Sequence, residues 1–273
     1  MNKTRTKIIF FGISDKGLRR ENNEDHFIVA DLSRHLVGVH DNKVTPSLIC
    51  HEVGEQGTLV AVADGLGGHE DGEIASQIAV ETVVEALFHP KEPHLSTQEW
   101  LVEAVDKAHT AIRTHLTHNP PGAPMGSTLT AVHIGHGIIT IAQVGDSRAY
   151  KFCNGKLTLL TEDQTLVNML QKRGMLTDEE AEHHPGKHII LQALGQDKNV
   201  VPELQSHRFE DGDSVLLCTD GLSSYVEHAT IEAVLASEGD EHSHCQRLID
   251  VANASGGADN VTVLLARLHI TKA

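Results

Sequence analysis

The chain has 273 residues, 40% of them hydrophobic and 22% charged, enough apolar content to bury a sizeable core and too much for a disordered chain. Its 38 acidic residues outnumber the 22 basic ones for a formal charge of −16, which opposes binding to nucleic acid or to an anionic membrane surface. Cys50, Cys153, Cys218 and Cys245 are widely spaced and form no C-x-x-C pair, so neither a disulfide framework nor a thiolate zinc site is expected, and a reducing, cytoplasmic setting fits.

The basic start, up to Lys7, precedes an apolar run too short for a signal-peptide core or a membrane span. That run opens the first predicted strand, over 8–14, and a second is predicted over 27–30. Residues 32–56 lack clean periodicity and read as a surface insertion holding an irregular strand. After a strand over 58–63, two helical stripes follow, the first through Ala75, Ala79, Val83 and Leu87, the second through Leu101, Ala104, Val105, Ala108 and Ile112. Asn119, Pro120, Pro121 and Gly122 open a stiff turn, and strands are predicted over 127–134, 138–144, 149–153 and 156–160. Residues 162–192 read as short helices on a loop-rich excursion, the candidate mobile flap. Strands over 214–218 and 261–268 complete the series. Consecutive helices between runs of consecutive strands do not suit a parallel βαβ wind; they suit antiparallel sheets with helices outside, so the expected fold is an α+β sandwich in one domain, with its core over about 8–268.

Acids sit at the edges of these apolar strands, where a core strand has no use for them. Glu24 and Asp25 precede one strand, Asp64-Gly65 and Asp220-Gly221 follow two others, Asp146 follows a fourth, and Asp259 precedes the last. A single strand-Asp-Gly reads as a hairpin turn, and Asp146 could also serve Ser147 or Arg148 as an acceptor. Antiparallel strands, however, place the end of one beside the start of its neighbour, so all five positions could share a rim. Carboxylates gathered there would repel one another and take up protons unless cations sat between them. All-oxygen coordination favours magnesium, manganese or calcium over zinc.

At these residues the chain closely resembles the metal-dependent protein phosphatase family, the PPM or type 2C serine/threonine phosphatases, in its bacterial form. The matching blocks run, in family order, from Ser14-Asp15-Lys16-Gly17, Arg20 and Asn23-Glu24-Asp25, through Val62-Ala63-Asp64-Gly65-Leu66-Gly67-Gly68, Gly126-Ser127-Thr128 and Gly145-Asp146-Ser147-Arg148, to Thr219-Asp220-Gly221 and Asp259-Asn260. The resemblance implies a central sandwich of two antiparallel sheets flanked by helices, with a pair of manganese or magnesium ions at one end. It implies that Asp64 bridges the ions, that the Gly65 carbonyl binds one of them, that Asp25, Asp220 and Asp259 belong to the other, and that Glu24 acts mainly through a water. It further implies a weaker third ion at Asp146 and Asp220, and a substrate-phosphate role for Arg20.

Two adjacent cations lower the pKa of a water held between them, so the attack on phosphorus needs no protein nucleophile. A forked guanidinium such as Arg20 would add positive charge for the phosphoryl oxygens. The leaving oxygen takes a proton from a side chain or from water; His69 is the candidate acid, and a solvated loop histidine is the alternative. Leu66 stands where animal members of the family carry histidine. In the flap, Asp163-Gln164-Thr165 and Gln192 stand where Asp-His-Ser and arginine are usual, so departures gather on the substrate side and not among the metal acids.

The implied substrates are phosphorylated proteins, products of a bacterial serine/threonine kinase, handled by a monomer without nucleic acid or membrane. Two other functions remain: a metal-dependent phosphodiesterase, which the acidic surface opposes, and a non-catalytic phosphoprotein-binding module, which would be expected to have lost metal acids that this chain keeps. Zinc at His183, His184 and His188, or at His242, His244 and Cys245, is set aside because neither group offers four well-spaced ligands.

Overall fold

The computed structural model describes residues 4–40, 43–44, 49–67, 70–89, 95–118, 125–196 and 198–272. Two strands open the chain, β1 (Thr4–Asp15) and β2 (Asp25–Asp31), followed by short β3 (Leu36–Val37), β4 (Val39–His40), β5 (Lys43–Val44) and β6 (Cys50–Glu52). Strand β7 (Thr58–Leu66) leads into the long helices α1 (Glu70–Phe88) and α2 (Thr97–His118). Next come β8 (Gly126–Ser127), β9 (Leu129–Gly135), β10 (Ile138–Val144), β11 (Arg148–Cys153) and β12 (Lys156–Leu159), then the short helices α3 (Leu166–Lys172) and α4 (Asp178–Glu182). The last part holds β13 (Glu203–Arg208), β14 (Ser214–Cys218), α5 (Asp220–Ser223), α6 (His228–Ala236), α7 (Glu241–Ala254) and β15 (Val261–Lys272).

These strands make two sheets, ordered β12-β11-β14-β15-β1-β6 and β13-β10-β9-β7-β2-β3, whose pairings are antiparallel throughout. The two-residue period of a strand explains the layers. On β7, Val60 and Val62 point into the core between the sheets, whereas Leu59, Ala61 and Ala63 meet α1 and α2 on the outside. On β15, Leu264, Ala266 and Leu268 face the shared core, and Val261, Val263 and Leu265 pack under α6 and α7. The result is helix, sheet, sheet, helix, as the expected α+β sandwich requires.

Helix α2 buries Leu101, Ala104, Val105, Ala108 and Ile112, the three-and-four spacing of one helical stripe. In the 162–192 excursion, Thr165 caps α3, and Thr177 with Glu180 forms a capping box on α4, so this segment carries its own local order. Residues 32–56 do hold irregular strands: β3 extends β2 and β6 pairs with the edge of β1, while 41–42 and 45–48 lie outside the described residues.

Two features differ from the sequence expectation. Strand β13 was not expected, because Glu203-Leu204-Gln205-Ser206-His207-Arg208 lacks apolar alternation; it lies at a sheet edge, pairs with β10 and stays half-exposed, where polar residues cost nothing. Helices α6 and α7 were also missed, since α6 is short and buries only Ile231 and Leu235, and polar Glu241 and His244 stand in the stripe that α7 buries with Cys245, Leu248, Ile249 and Ala252.

Register sets the functional end of the sandwich. Asp25, at the start of β2, lies directly opposite Asp64 near the end of β7. In the other sheet Val261, which begins β15, lies opposite Asp15 at the end of β1, and Cys218 at the end of β14 lies opposite Val263. Strand ends carrying Asp25, Asp64, Asp220 and Asp259 therefore share one rim.

Candidate active site and metal centre

Asp25 is fully buried, and its Oδ2 accepts hydrogen bonds from Thr219 Oγ1 at 2.7 Å and Thr262 Oγ1 at 2.8 Å. Both donors belong to the opposite sheet, one just past β14 and one inside β15, so this carboxylate fastens the two sheets together at the rim. Thr262 is in turn linked to Ser14 Oγ, which accepts from Asn23 Nδ2.

Asn260 fixes the loop that carries Arg20 and Glu24. Its Nδ2 donates to the Lys16 and Asn22 carbonyls at 2.9 and 2.8 Å, and its Oδ1 accepts from the Glu24 backbone N–H at 2.8 Å. The Gly65 N–H reaches the Glu24 carbonyl at 3.1 Å. Any side chain on Gly65 would collide with the helix start, since a Cβ there would lie 2.0 Å from the Gly72 carbonyl oxygen. Asp64 is held through its backbone by Thr128, whose hydroxyl accepts from the Asp64 N–H at 2.9 Å.

Arg20, Glu24, Asp64, Gly65, Asp146, Asp220 and Asp259 all line one cleft of about 380 Å³, with Asp25 buried behind Asp64. The electrostatics of this cleft are those of crowded anions. Burial pushes Asp25 up to about 7, against the pull of its two hydroxyl donors and with added repulsion from Asp220 and Asp259. Burial raises Asp220 to about 6, with Asp259 adding to it. Asp146 reaches about 8 through burial and the charge of Asp220. Burial, then the charges of Asp25 and Asp220, holds Asp64 well above the usual carboxylate range.

Such a cluster suits hard cations. Asp146 Oδ1 and Asp220 Oδ1 are buried without a hydrogen-bond partner among the described residues, and the donors on offer are all oxygens. Among the described residues, no group of three or more His, Cys, Asp or Glu side chains is arranged to hold an ion directly. The oxygen donors present nonetheless fit magnesium or manganese.

Arg20 Nη2 donates to Asp259 Oδ2 at 2.8 Å; that hydrogen bond raises the arginine's pKa, and partial burial opposes it. Arg148 forms no ion pair with Asp146 among the described residues, although its charge pulls the Asp146 pKa down against burial and Asp220. Its guanidinium forks onto Asp163, with Nε to Oδ1 at 2.9 Å and Nη2 to Oδ2 at 2.6 Å, leaving Asp146 to the cleft. His69 and Gly68 lie outside the described residues.

Sequence reasoning gave no role to Thr219, Asn260 or Thr262, although Thr219 and Asn260 stand in two of the matching blocks and Thr262 lies two residues past the second. It also passed over Tyr225 and the cleft-lining position of His188. The histidine groups set aside for zinc are otherwise engaged: His244 Nε2 is 3.0 Å from the Ser237 carbonyl, His242 packs edge-on to Phe11, and His184 Nδ1 accepts from the Gly186 N–H. Four free cysteines and no disulfide are found among the described residues. None of the described helices is long and apolar enough to cross a membrane.

Comparison with known proteins agrees with this geometry. A family model described as protein phosphatase 2C matches residues 48–264. The chain is 33% identical over 260 residues to the serine/threonine phosphatase stp of Listeria innocua, covering 94% of each protein. Among solved structures it is similar to the Mycobacterium tuberculosis serine/threonine phosphatase PstP/Ppp, with a TM-score of 0.80, 34% identity and 96% and 99% of the two chains covered. It is similar as well to a PstP catalytic domain in complex with 2 manganese ions, with a TM-score of 0.75, 34% identity and 97% and 99% covered. With sheet order, acidic cleft and near full-length similarity in agreement, the chain belongs to the protein phosphatase 2C family.

Proposed function

We propose that this chain is a metal-dependent protein serine/threonine phosphatase, hydrolysing phosphoserine and phosphothreonine monoesters in protein substrates. The observation that carries the reading is the meeting of Asp25, Asp64, Asp146, Asp220 and Asp259, from separate strands of both sheets, around one cleft with Arg20 at its edge. Asp25, Asp64, Asp220, Asp259 and the Gly65 carbonyl would hold two ions, with Glu24 acting through water, and Asp146 with Asp220 would hold a weaker third. Manganese or magnesium bound there supplies an activated water and positive charge for the phosphoryl oxygens. The manganese of the related PstP domain supports that choice.

The protein's own residues supply orientation. Arg20 presents a forked donor to the phosphate, and Asn260 holds its loop through the Lys16 and Asn22 carbonyls. Thr219 and Thr262 keep Asp25 aimed at the rim. His69, or water in the cleft, gives the leaving oxygen its proton. We read the whole chain as one such domain, acting as a cytoplasmic monomer on products of a bacterial serine/threonine kinase; the core shared by the two sheets supports the single unit.

A phosphodiesterase is disfavoured because an acidic cleft in a chain of charge −16 repels nucleic acid. Hydrolysis of a phosphothreonine peptide measured beside bis-p-nitrophenyl phosphate tests this. The peptide is expected to be preferred by about 100-fold or more in kcat/KM, the scale of a specific transition-state contact. A preference for the diester would overturn the reading.

A further inference from the structure

We infer that the Thr128 hydroxyl is a positioning group shared by two parts of the metal centre, holding Asp64 on one side and the loop of Asp146 on the other, so that the two-ion site and the weaker third site are linked. This rests on the phosphatase reading and adds a coupling within it.

Strand β9 lies between β7 and β10 in its sheet, and Thr128 stands just ahead of it. Asp64 is near the end of β7, and Asp146 follows the end of β10, so Thr128 lies between the two acids at the rim. Toward β7, its Oγ1 accepts from the Asp64 N–H at 2.9 Å, and its own N–H donates to the Asp64 carbonyl at 2.9 Å. Toward β10, the same Oγ1 shares a hydrogen bond of 2.8 Å with the hydroxyl of Ser147, the residue after Asp146. Thr128 and Ser147 are both fully buried, so solvent does not compete for either hydroxyl.

Buried hydroxyls that satisfy one another are ordinary, and the pair alone would mean only a well-made core. What gives it a role is the way Asp146 is aimed. Its Oδ1 is buried without a hydrogen-bond partner among the described residues, so the backbone on either side has to set where that oxygen points. Ahead of it, Gly145 donates its N–H to Gln164 Oε1 at 2.8 Å. Gly145 also presses on Thr128: its φ is 98°, and a Cβ there would lie 2.7 Å from the Thr128 methyl. Behind Asp146, the Ser147 carbonyl accepts from Thr130 Oγ1 at 2.6 Å and from Gln143 Nε2 at 3.1 Å, while its hydroxyl meets Thr128. Thr128 thus touches the loop at Gly145 and at Ser147, and bonds Asp64 through side chain and main chain together. Groups packed and hydrogen-bonded this closely move together, so an ion that draws in one acid biases the position of the other.

The test is calorimetric titration of manganese into the metal-free protein, with circular dichroism to confirm folding. The parent should show a tight class of ions and a weaker one. Thr128→Val keeps the shape and removes the hydroxyl, and should weaken both classes by about 10-fold or more, as when an outer partner of a metal ligand is lost. Thr128→Ser keeps the hydroxyl and removes the methyl, and should hold both classes within about twofold of the parent. Ser147→Ala should weaken the weaker class about 10-fold and leave the tight class within about twofold. Added to Thr128→Val, it should cost the weaker class nothing more, because the bond between the two hydroxyls is already gone.

Unchanged affinities in Thr128→Val, equal losses in Thr128→Val and Thr128→Ser, additive losses in the double variant, or a single class of manganese in the parent would each overturn the inference. If Thr128→Val does not fold, Ser147→Ala decides: an unchanged weaker class overturns the link. Hydrolysis of a phosphothreonine peptide by the manganese-loaded parent is measured beside the titration. A parent that binds manganese and releases no phosphate overturns the phosphatase reading instead.

Discussion

Arg20 donates from Nη2 to Asp259 Oδ2 at 2.8 Å, so the side chain proposed to grip the substrate phosphate rests on one proposed to hold a metal ion. The arginine of this pair is half-exposed, which keeps the interaction weak and leaves the guanidinium free to exchange partners. Replacing it should therefore harm substrate handling and spare the ions. For Arg20→Ala we expect kcat/KM on a phosphopeptide to fall about 100-fold, the loss of a charge-assisted contact to the transition state. Manganese affinity, read by titration, should be retained or rise slightly. An equal loss of metal binding would contradict the role given to Arg20.

Thr219 does more than its position beside Asp220 suggests. Its hydroxyl donates to Asp25 Oδ2 and accepts from the Thr262 backbone N–H at 3.0 Å, so it serves a buried carboxylate and a strand end together. Thr219→Val keeps the shape and removes both bonds. The expected cost is about 1–3 kcal/mol of stability, the penalty for leaving buried polar groups unsatisfied. Because Asp25 is no longer aimed, manganese affinity should fall about 10- to 100-fold, as when an outer partner of a metal ligand is removed. Unchanged melting and unchanged affinity would remove Thr219 from the site.

The crowded acids make a prediction about pH. Burial raises Asp25 to about 7, Asp146 to about 8 and Asp220 to about 6 in the metal-free protein. A raised folded pKa means that the folded state holds its proton more tightly than the unfolded chain does. The resulting stability is fully present below about pH 4, the ordinary carboxylate value, and is lost as pH rises through the folded values. Metal binding needs the ionised carboxylates and is opposed by the same protons. The rise in melting temperature on adding manganese should therefore be larger at pH 8 than at pH 5.5. An increment that is flat, or larger in acid, would show that these carboxylates do not bind the ion.

The site was legible in the sequence where chemistry broke a pattern. Asp64 and Asp220 end runs of apolar residues that would otherwise be plain core strand, and Asp259 stands just ahead of another. What could not be read was the support around them. Thr219 and Asp25 are 194 residues apart, and nothing local to either marks the hydrogen bond that joins them. The same holds for Asn260, which reaches back 244 residues to the Lys16 carbonyl. Arg148 illustrates the limit most clearly: adjacency to Asp146 suggested an ion pair, but the strand direction turns its guanidinium to Asp163. In the fold, β7 and β15 announced themselves by burying both faces, while β13 escaped because an edge strand can be polar.

Asp64, opposite Asp25 at the meeting of β7 and β2, is proposed to be indispensable to metal-dependent dephosphorylation. Phosphate release from a phosphothreonine peptide by the parent protein and by Asp64→Asn, each with manganese and with chelator, tests it most directly. The parent should be active with manganese and silent with chelator, and Asp64→Asn should lose at least about 1,000-fold in kcat/KM, the scale of removing the catalytic charge itself, while remaining folded. Activity that survives chelator, or that survives Asp64→Asn, would contradict it.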